Sequence, residues 1–197
     1  MNHDISLAVW DVPSPIAIGR RTTVKVGISC SCGCALTGAT IEICDEQDVS
    51  IATGRVGSES WPGTTGLHWV QLDVAPPENM GTHAWRVHTL IDDPLHAPVD
   101  SVVSVLVSKP PEHRVTFEVV ERGSRHPLAG VALRVGAFRA MTNEMGRAHV
   151  DVPGGTYDVH AWKLGYDLLS ATASVAADET LRLEIASTRE PEQPYWM

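Results

Sequence analysis

The stretch "TTVKVGISC", residues 22–30, places Val24, Val26, Ile28 and Cys30 at every second position, with Thr23, Lys25, Gly27 and Ser29 between them. Side chains alternate across a strand at period two, so this spacing predicts a β-strand with one buried face. The strand runs straight into "CSCGC", residues 30–34, and a fourth cysteine, Cys44, follows ten residues later. The reading of the chain works outward from this point.

On both sides the pattern repeats. The 197 residues contain 13 prolines and 16 glycines, and the segments between them are short, β-branched and alternating, which leaves almost no room for a helix. Strands are predicted near residues 3–10, 22–30, 39–45, 49–56, 66–74, 82–91 and 99–108, each bounded by turn residues. In "GTHAWRVHTLI", Trp85, Val87 and Ile91 form the core face, with Arg86 and His88 opposite. Seven such strands in about one hundred residues predict an immunoglobulin-like sandwich over residues 1–109, although the Cys, Trp, Cys spacing of antibody domains is absent. Pro110 and Pro111 lack backbone donors and stiffen a linker over 110–113. Six further strands are predicted near 114–121, 130–137, 147–152, 156–162, 168–175 and 180–186, making a second sandwich over 114–187, with a tail at 188–197. The expected fold class is all-β, two tandem β-sandwich domains.

Composition narrows the function classes. The chain is 43% hydrophobic and 20% charged, as an ordinary globular protein is. Its net charge of -9, from 24 acidic and 15 basic residues, disfavours nucleic acid and anionic membrane surfaces as partners. The start, "MNHDISLAVWDVPSP", lacks the basic flank and apolar run of an export signal, and no apolar stretch has the length of a membrane span. The expected compartment is the cytoplasm, where thiols stay reduced.

In the second half, "HPLAGVALRV" (126–135) and "MTNEMGRAHVDVPGGTYDVHAWKLGYD" (141–167) carry a more specific pattern. The matching positions are Pro127, Leu128, Gly130, Val131, Thr142, Asn143, Gly146, Pro153, Gly155, Tyr157, Lys163, Gly165 and Tyr166. The segment 114–187 resembles the carboxypeptidase regulatory-like domain, a transthyretin-like sandwich. The resemblance implies a structural or interaction role beside catalytic units rather than catalysis. Hydroxyisourate hydrolases of the transthyretin-like fold end in Tyr-Arg-Gly-Ser, whereas this chain ends "PEQPYWM". Independently of the resemblance, Val131, Leu133 and Val135 alternate into a core, and the glycines fall where tight turns need them.

Two clusters bear on metal chemistry. Cys30, Cys32 and Cys34 are spaced more tightly than the usual zinc thiolates, but Cys30 and Cys34 alone have a permissible gap, and Cys44 on the next strand could close a set of four. A buried free Cys30 with the others in a turn, or a Cys30–Cys34 disulfide, fits the same residues. A thiol redox catalyst does not, because there is no Cys-x-x-Cys at a helix start. The second cluster follows from reading "PGGT" as a hairpin turn. That register sets Asp151 opposite Asp158 and His149 opposite His160, on a face that also carries Arg147 and Trp162. Two opposed aspartates invite a cation, which a protonated histidine, Arg147 or a divalent metal could supply. "HTLIDDPLHAP", residues 88–98, gathers His88, Asp92, Asp93 and His96, which read as an ordinary Asp-Asp-Pro turn or as a metal or acid–base set. No strained nucleophile turn of the Gly-x-Ser-x-Gly kind appears.

The tail ends in Tyr195, Trp196 and Met197, residue types enriched at interface anchors, and these are the expected partner-docking residues. The functional expectation is a non-catalytic accessory subunit that docks on another protein, a larger enzyme subunit or assembly, with no cofactor of its own. The alternative is a small-ligand or metal-binding module, with zinc as the metal. An enzyme has least support in the sequence.

Overall fold

A computed structural model describes residues 3–188. The chain divides into two compact units, Met1–Lys109 and Pro110–Met197. The first contains β1 (Ile5–Trp10), β2 (Ile16–Ala17), β3 (Thr22–Cys30), β4 (Thr40–Cys44), β5 (Ser50–Arg55), β6 (His68–Val74), β7 (Gly81–Leu90) and β8 (Asp100–Ser108). The second contains β9 (His113–Glu121), β10 (Ala132–Val135), β11 (Phe138–Met141), β12 (Arg147–Val152), β13 (Gly155–Trp162), β14 (Leu169–Val175) and β15 (Glu179–Ile185). Among the described residues there is no helix, so the fold is all-β, as expected.

In the first unit a three-stranded sheet, β1-β3-β6, packs on a five-stranded sheet, β2-β8-β7-β4-β5. The alternation read from "TTVKVGISC" holds: Val24, Val26 and Ile28 are fully buried and Cys30 nearly so. They meet Ile41, Ile43, Trp85, Val87 and Val105 from the facing sheet. Gly27 has a packing reason to lack a side chain, since a Cβ there would lie 2.9 Å from both Leu67 and Trp10. The two-residue β2 pairs in parallel with β8 and is too short to leave an alternating signature.

In the second unit the sheets are β11-β10-β13-β14 and β12-β9-β15, with β15 parallel to β9. Val115, Phe117, Val119, Val150 and Ile185 of one sheet pack against Leu133, Val135, Val159 and Val175 of the other. The single strand expected over 130–137 is instead a hairpin, because the chain turns at Gly136 with φ of +56° and continues as β11.

The "PGGT" hairpin is a second correction. β12 pairs with β9, and β13 pairs with β10 and β14, so Pro153 and Gly154 carry the chain from one sheet to the other. Both strands present an apolar row, Ala148, Val150 and Val152 on β12 and Val159 and Ala161 on β13. Facing each other across the sandwich, the two rows bury one another. The crossing is tied by the Tyr157 hydroxyl, which donates to the Pro153 carbonyl at 2.7 Å, and by Gly154 N–H donating to Glu112 at 3.2 Å.

Gly146, at the start of β12, has φ of +70°, and a Cβ there would come within 2.6 Å of the Val119 carbonyl oxygen and 3.0 Å of the Leu128 nitrogen. Gly146→Ala should destabilise the second unit by about 2 kcal/mol or more, seen as a lower melting temperature in thermal denaturation.

Candidate metal centre

The end of β3 is where the chemistry gathers. Past Cys30 the chain bends, with Gly33 N–H donating to the Cys30 carbonyl at 3.0 Å and Gly33 at φ +77°. The turn brings Cys32 and Cys34 back beside Cys30. β1 runs antiparallel to β3 with Ile5 opposite Cys30, which places His3, just before β1, over the same turn. Ser31 N–H donates to the Asp4 carbonyl at 2.9 Å and holds the two segments together.

The fifth member comes from the β7–β8 loop. Buried Thr89 clamps its base: Thr89 N–H donates to the Val99 carbonyl at 3.0 Å, and Val99 N–H donates to the Thr89 hydroxyl at 2.7 Å. Within the loop Asp93 accepts from Leu95 N–H at 2.9 Å, the aspartate turn expected from "DDP". That turn also delivers His96 to the cysteines, and a backbone bridge joins His96 to His3.

The donor atoms of His3, Cys30, Cys32, Cys34 and His96 all lie within 4.8 Å of one another. His3 Nδ1 is 3.1 Å from Cys32 Sγ, 3.5 Å from Cys34 Sγ and 4.0 Å from Cys30 Sγ. Cys30 Sγ is 3.5 Å from His96 Nε2 and 2.9 Å from Cys32 Sγ. A tetrahedral zinc ion, with bonds of roughly 2.3 Å to sulfur and 2.0 Å to nitrogen, sets its ligand atoms about 3.3–3.8 Å apart. Two of these five separations, both 3.5 Å, already fall in that range, and the Cys30–Cys32 pair would open by slightly under about 1 Å. His96 Nδ1 lies 2.9 Å from Asp93 Oδ2, the carboxylate–imidazole arrangement that fixes a metal-bound histidine's tautomer. All four cysteines of the chain are free thiols.

The thiols share protons. Cys32 is held below the ordinary thiol value by the hydrogen bond with Cys30 and then by that with Cys34, while Cys34 is pushed up to about 11, first by its bond to Cys32 and then by burial. Burial opposes charge on His96, but its bonds to Cys30 and Asp93 prevail and raise it. Asp93 is lowered by Leu95 N–H and by His96. These groups crowd negative charge that protons now share and that a cation would neutralise.

The other expected ligands lie elsewhere. Cys44 is buried on β4, in the opposite sheet, where burial and nearby Glu42 push its thiol up. His149 and Asp151 lie on β12, and Asp158 and His160 on β13, so the crossing separates the four residues into two sheets. Asp151 takes a bidentate pair from Arg114 at 2.7 and 3.1 Å, which lowers its carboxyl, and His149 Nδ1 meets the Thr116 hydroxyl at 3.0 Å. His160 Nδ1 meets the Ser170 hydroxyl at 3.0 Å, and Asp158 stands opposite Thr172. His88 pairs with Asp100 at 2.9 Å. Tyr195, Trp196 and Met197 lie outside the described residues. His3 was missed by the sequence reading: it is 27 residues from Cys30 and belongs to no motif.

No family model and no curated protein matches the chain. Solved structures with a likeness include the Bacillus anthracis TIE protein, at 12% identity and a TM-score of 0.32, over 93% of this chain and 41% of that one. The Bacillus cereus major pilin subunit BcpA has 9% identity and a TM-score of 0.35, over 94% of this chain and 70% of that one. E. coli alpha-2-macroglobulin in its native conformation has 11% identity and a TM-score of 0.40, over 87% of this chain and 14% of that one. The chain thus spans less than half the length of the first and about one-seventh of the last.

Asp93→Asn keeps the shape of the His96 partner and removes its charge. With zinc as the probe, the cluster should hold the metal about 10–100-fold more weakly in a chelator-competition titration, with the fold unchanged by circular dichroism.

Proposed function

We propose that the first sandwich is a zinc-binding module whose metal is structural. The observation that carries this reading is the convergence of three thiols and two imidazoles, from three separate segments, within 4.8 Å. A soft, thiolate-rich set favours zinc over magnesium or calcium. Four of the five donors complete a tetrahedron and leave no open position for a substrate, as in structural sites. The ion would staple the segment before β1 and the β7–β8 loop to the end of β3. The reading calls for a compartment that keeps thiols reduced, which is consistent with the cytoplasm.

The second sandwich we read as a carboxypeptidase regulatory-like domain serving as a docking unit on another protein. The positive φ of Gly130, Gly146 and Gly165 and the Tyr157–Pro153 bond support the motif reading. An exposed apolar row supports the docking role. Ala132 stands between Met141 and Trp162, both exposed, and Leu164 is 99% exposed in the following loop. In the next row Arg134 lies between Arg139 and His160, so a partner with acidic groups beside its apolar anchors would fit.

Metal analysis of the protein purified under reducing conditions should give one zinc per chain. The double variant Cys30→Ser with His96→Ala, which removes the two buried donors, should hold none, and Cys44→Ser should hold one. Stripping the metal with a chelator should lower the melting temperature of the first unit only. A metal-free protein that binds no added zinc would overturn the reading.

A further inference from the structure

The four edges of the second sandwich are unequal. β11 has four residues and carries Arg139, β12 carries Arg147 and Asp151, and β15 carries Glu179, Arg182 and Glu184. Charge and shortness of this kind guard an edge against pairing with another chain. β14 has seven residues, "LSATASV", with no charge and no proline, and among the described residues it pairs only with β13. Ser170, Ala171, Thr172 and Ser174 are exposed. In the first unit the uncharged edge β1 differs, because it lies against β8 of the facing sheet.

The sequence of β14 is also palindromic about Thr172: Ala171 mirrors Ala173, Ser170 mirrors Ser174, and the aliphatic Leu169 mirrors the aliphatic Val175. A two-fold contact requires that when residue i meets residue j, j also meets i, and an antiparallel strand pair about its own centre meets this condition.

We propose that β14 is a self-association edge, at which two copies of this chain pair antiparallel about a two-fold axis through Thr172. The two four-stranded sheets then become one of eight strands, within the range that twisted sheets tolerate. Ser170, Thr172 and Ser174 share a face with His160 and Asp158, so the seam carries a hydroxyl ladder on its outer side. On the inner side Leu169 meets Val175 and Ala171 meets Ala173, which continues the apolar layer formed by Ala173 and Val175. Among the β13 residues paired with β14 the one charge is Asp158, opposite Thr172. The two copies of Asp158 would be three strand spacings apart, about 14 Å, beyond the screening length of about 8 Å at physiological salt. Asp158 therefore does not oppose pairing at this seam. A strand of seven residues, about 23 Å long, makes a small interface, so the dimer is reversible and depends on concentration.

Sedimentation velocity of the full chain from micromolar to millimolar concentration should show a monomer–dimer equilibrium. Thr172→Lys places two ammonium groups opposite each other in the dimer, yet beside Asp158 in the monomer, so the fold is kept and dimerisation weakens by about fivefold. Adding Ser170→Lys and Ser174→Lys should abolish it. Thr172→Cys should yield a reducible covalent dimer whose disulfide maps to position 172 of both copies, whereas Thr156→Cys on β13 should not cross-link. The lysine variants should retain the zinc content of the parent, since the metal centre is in the other unit. A chain that stays monomeric at every concentration, or a dimer indifferent to the three lysines, would overturn the proposal.

Discussion

The register of β3 between β1 and β6 is the constraint on which the first unit depends. Its inward row is buried throughout, and a shift of one residue would turn Thr23, Lys25 and Ser29 into the core in place of Val24, Val26 and Ile28. With that register set, Cys30 ends the strand at the rim of the core and Ile5 is its partner on β1. The place of His3 follows from that pairing, and Gly33 decides that the next two cysteines turn back toward the first. The cluster of histidine and cysteine donors is thus an end product of core packing, assembled where a buried strand stops.

The second unit is organised by a different requirement, that two apolar rows cover each other. β12 and β13 are adjacent in sequence and each is apolar on one face, and the chain satisfies both by crossing between sheets. The polar residues that remain outside then find partners within their own sheets. Asp151 takes Arg114, His149 takes Thr116, and His160 takes Ser170. Each cross-strand partner removes a reason for a metal to bind there.

These two arrangements explain which parts were legible. The strands were readable because period-two alternation is a local property that each segment carries by itself. β2 was not, because two residues hold no period, and β10 and β11 read as one strand because nothing in the alternation marks Gly136 as a turn. The three clustered cysteines were visible as a motif. His96 was visible in a turn that also read as a metal or acid–base set, but not as a partner of the cysteines, because the clamp at Thr89 and Val99 that carries the turn to β3 has no sequence signature. Asp93 served both readings, since one carboxylate oxygen holds the turn and the other holds His96.

By itself, the sequence determined the all-β character of the chain, the inward faces of most strands and the presence of three thiols at one strand end. Those follow from backbone stereochemistry and from the separation of apolar and polar side chains, which act over a few residues. Tertiary structure alone decided that β12 and β13 occupy opposite sheets, that Cys44 stands apart, and that His3 and His96 complete the donor set. Those depend on which strands pair across tens of residues, and pairing is settled by the joint burial of both sheet faces rather than by any one segment.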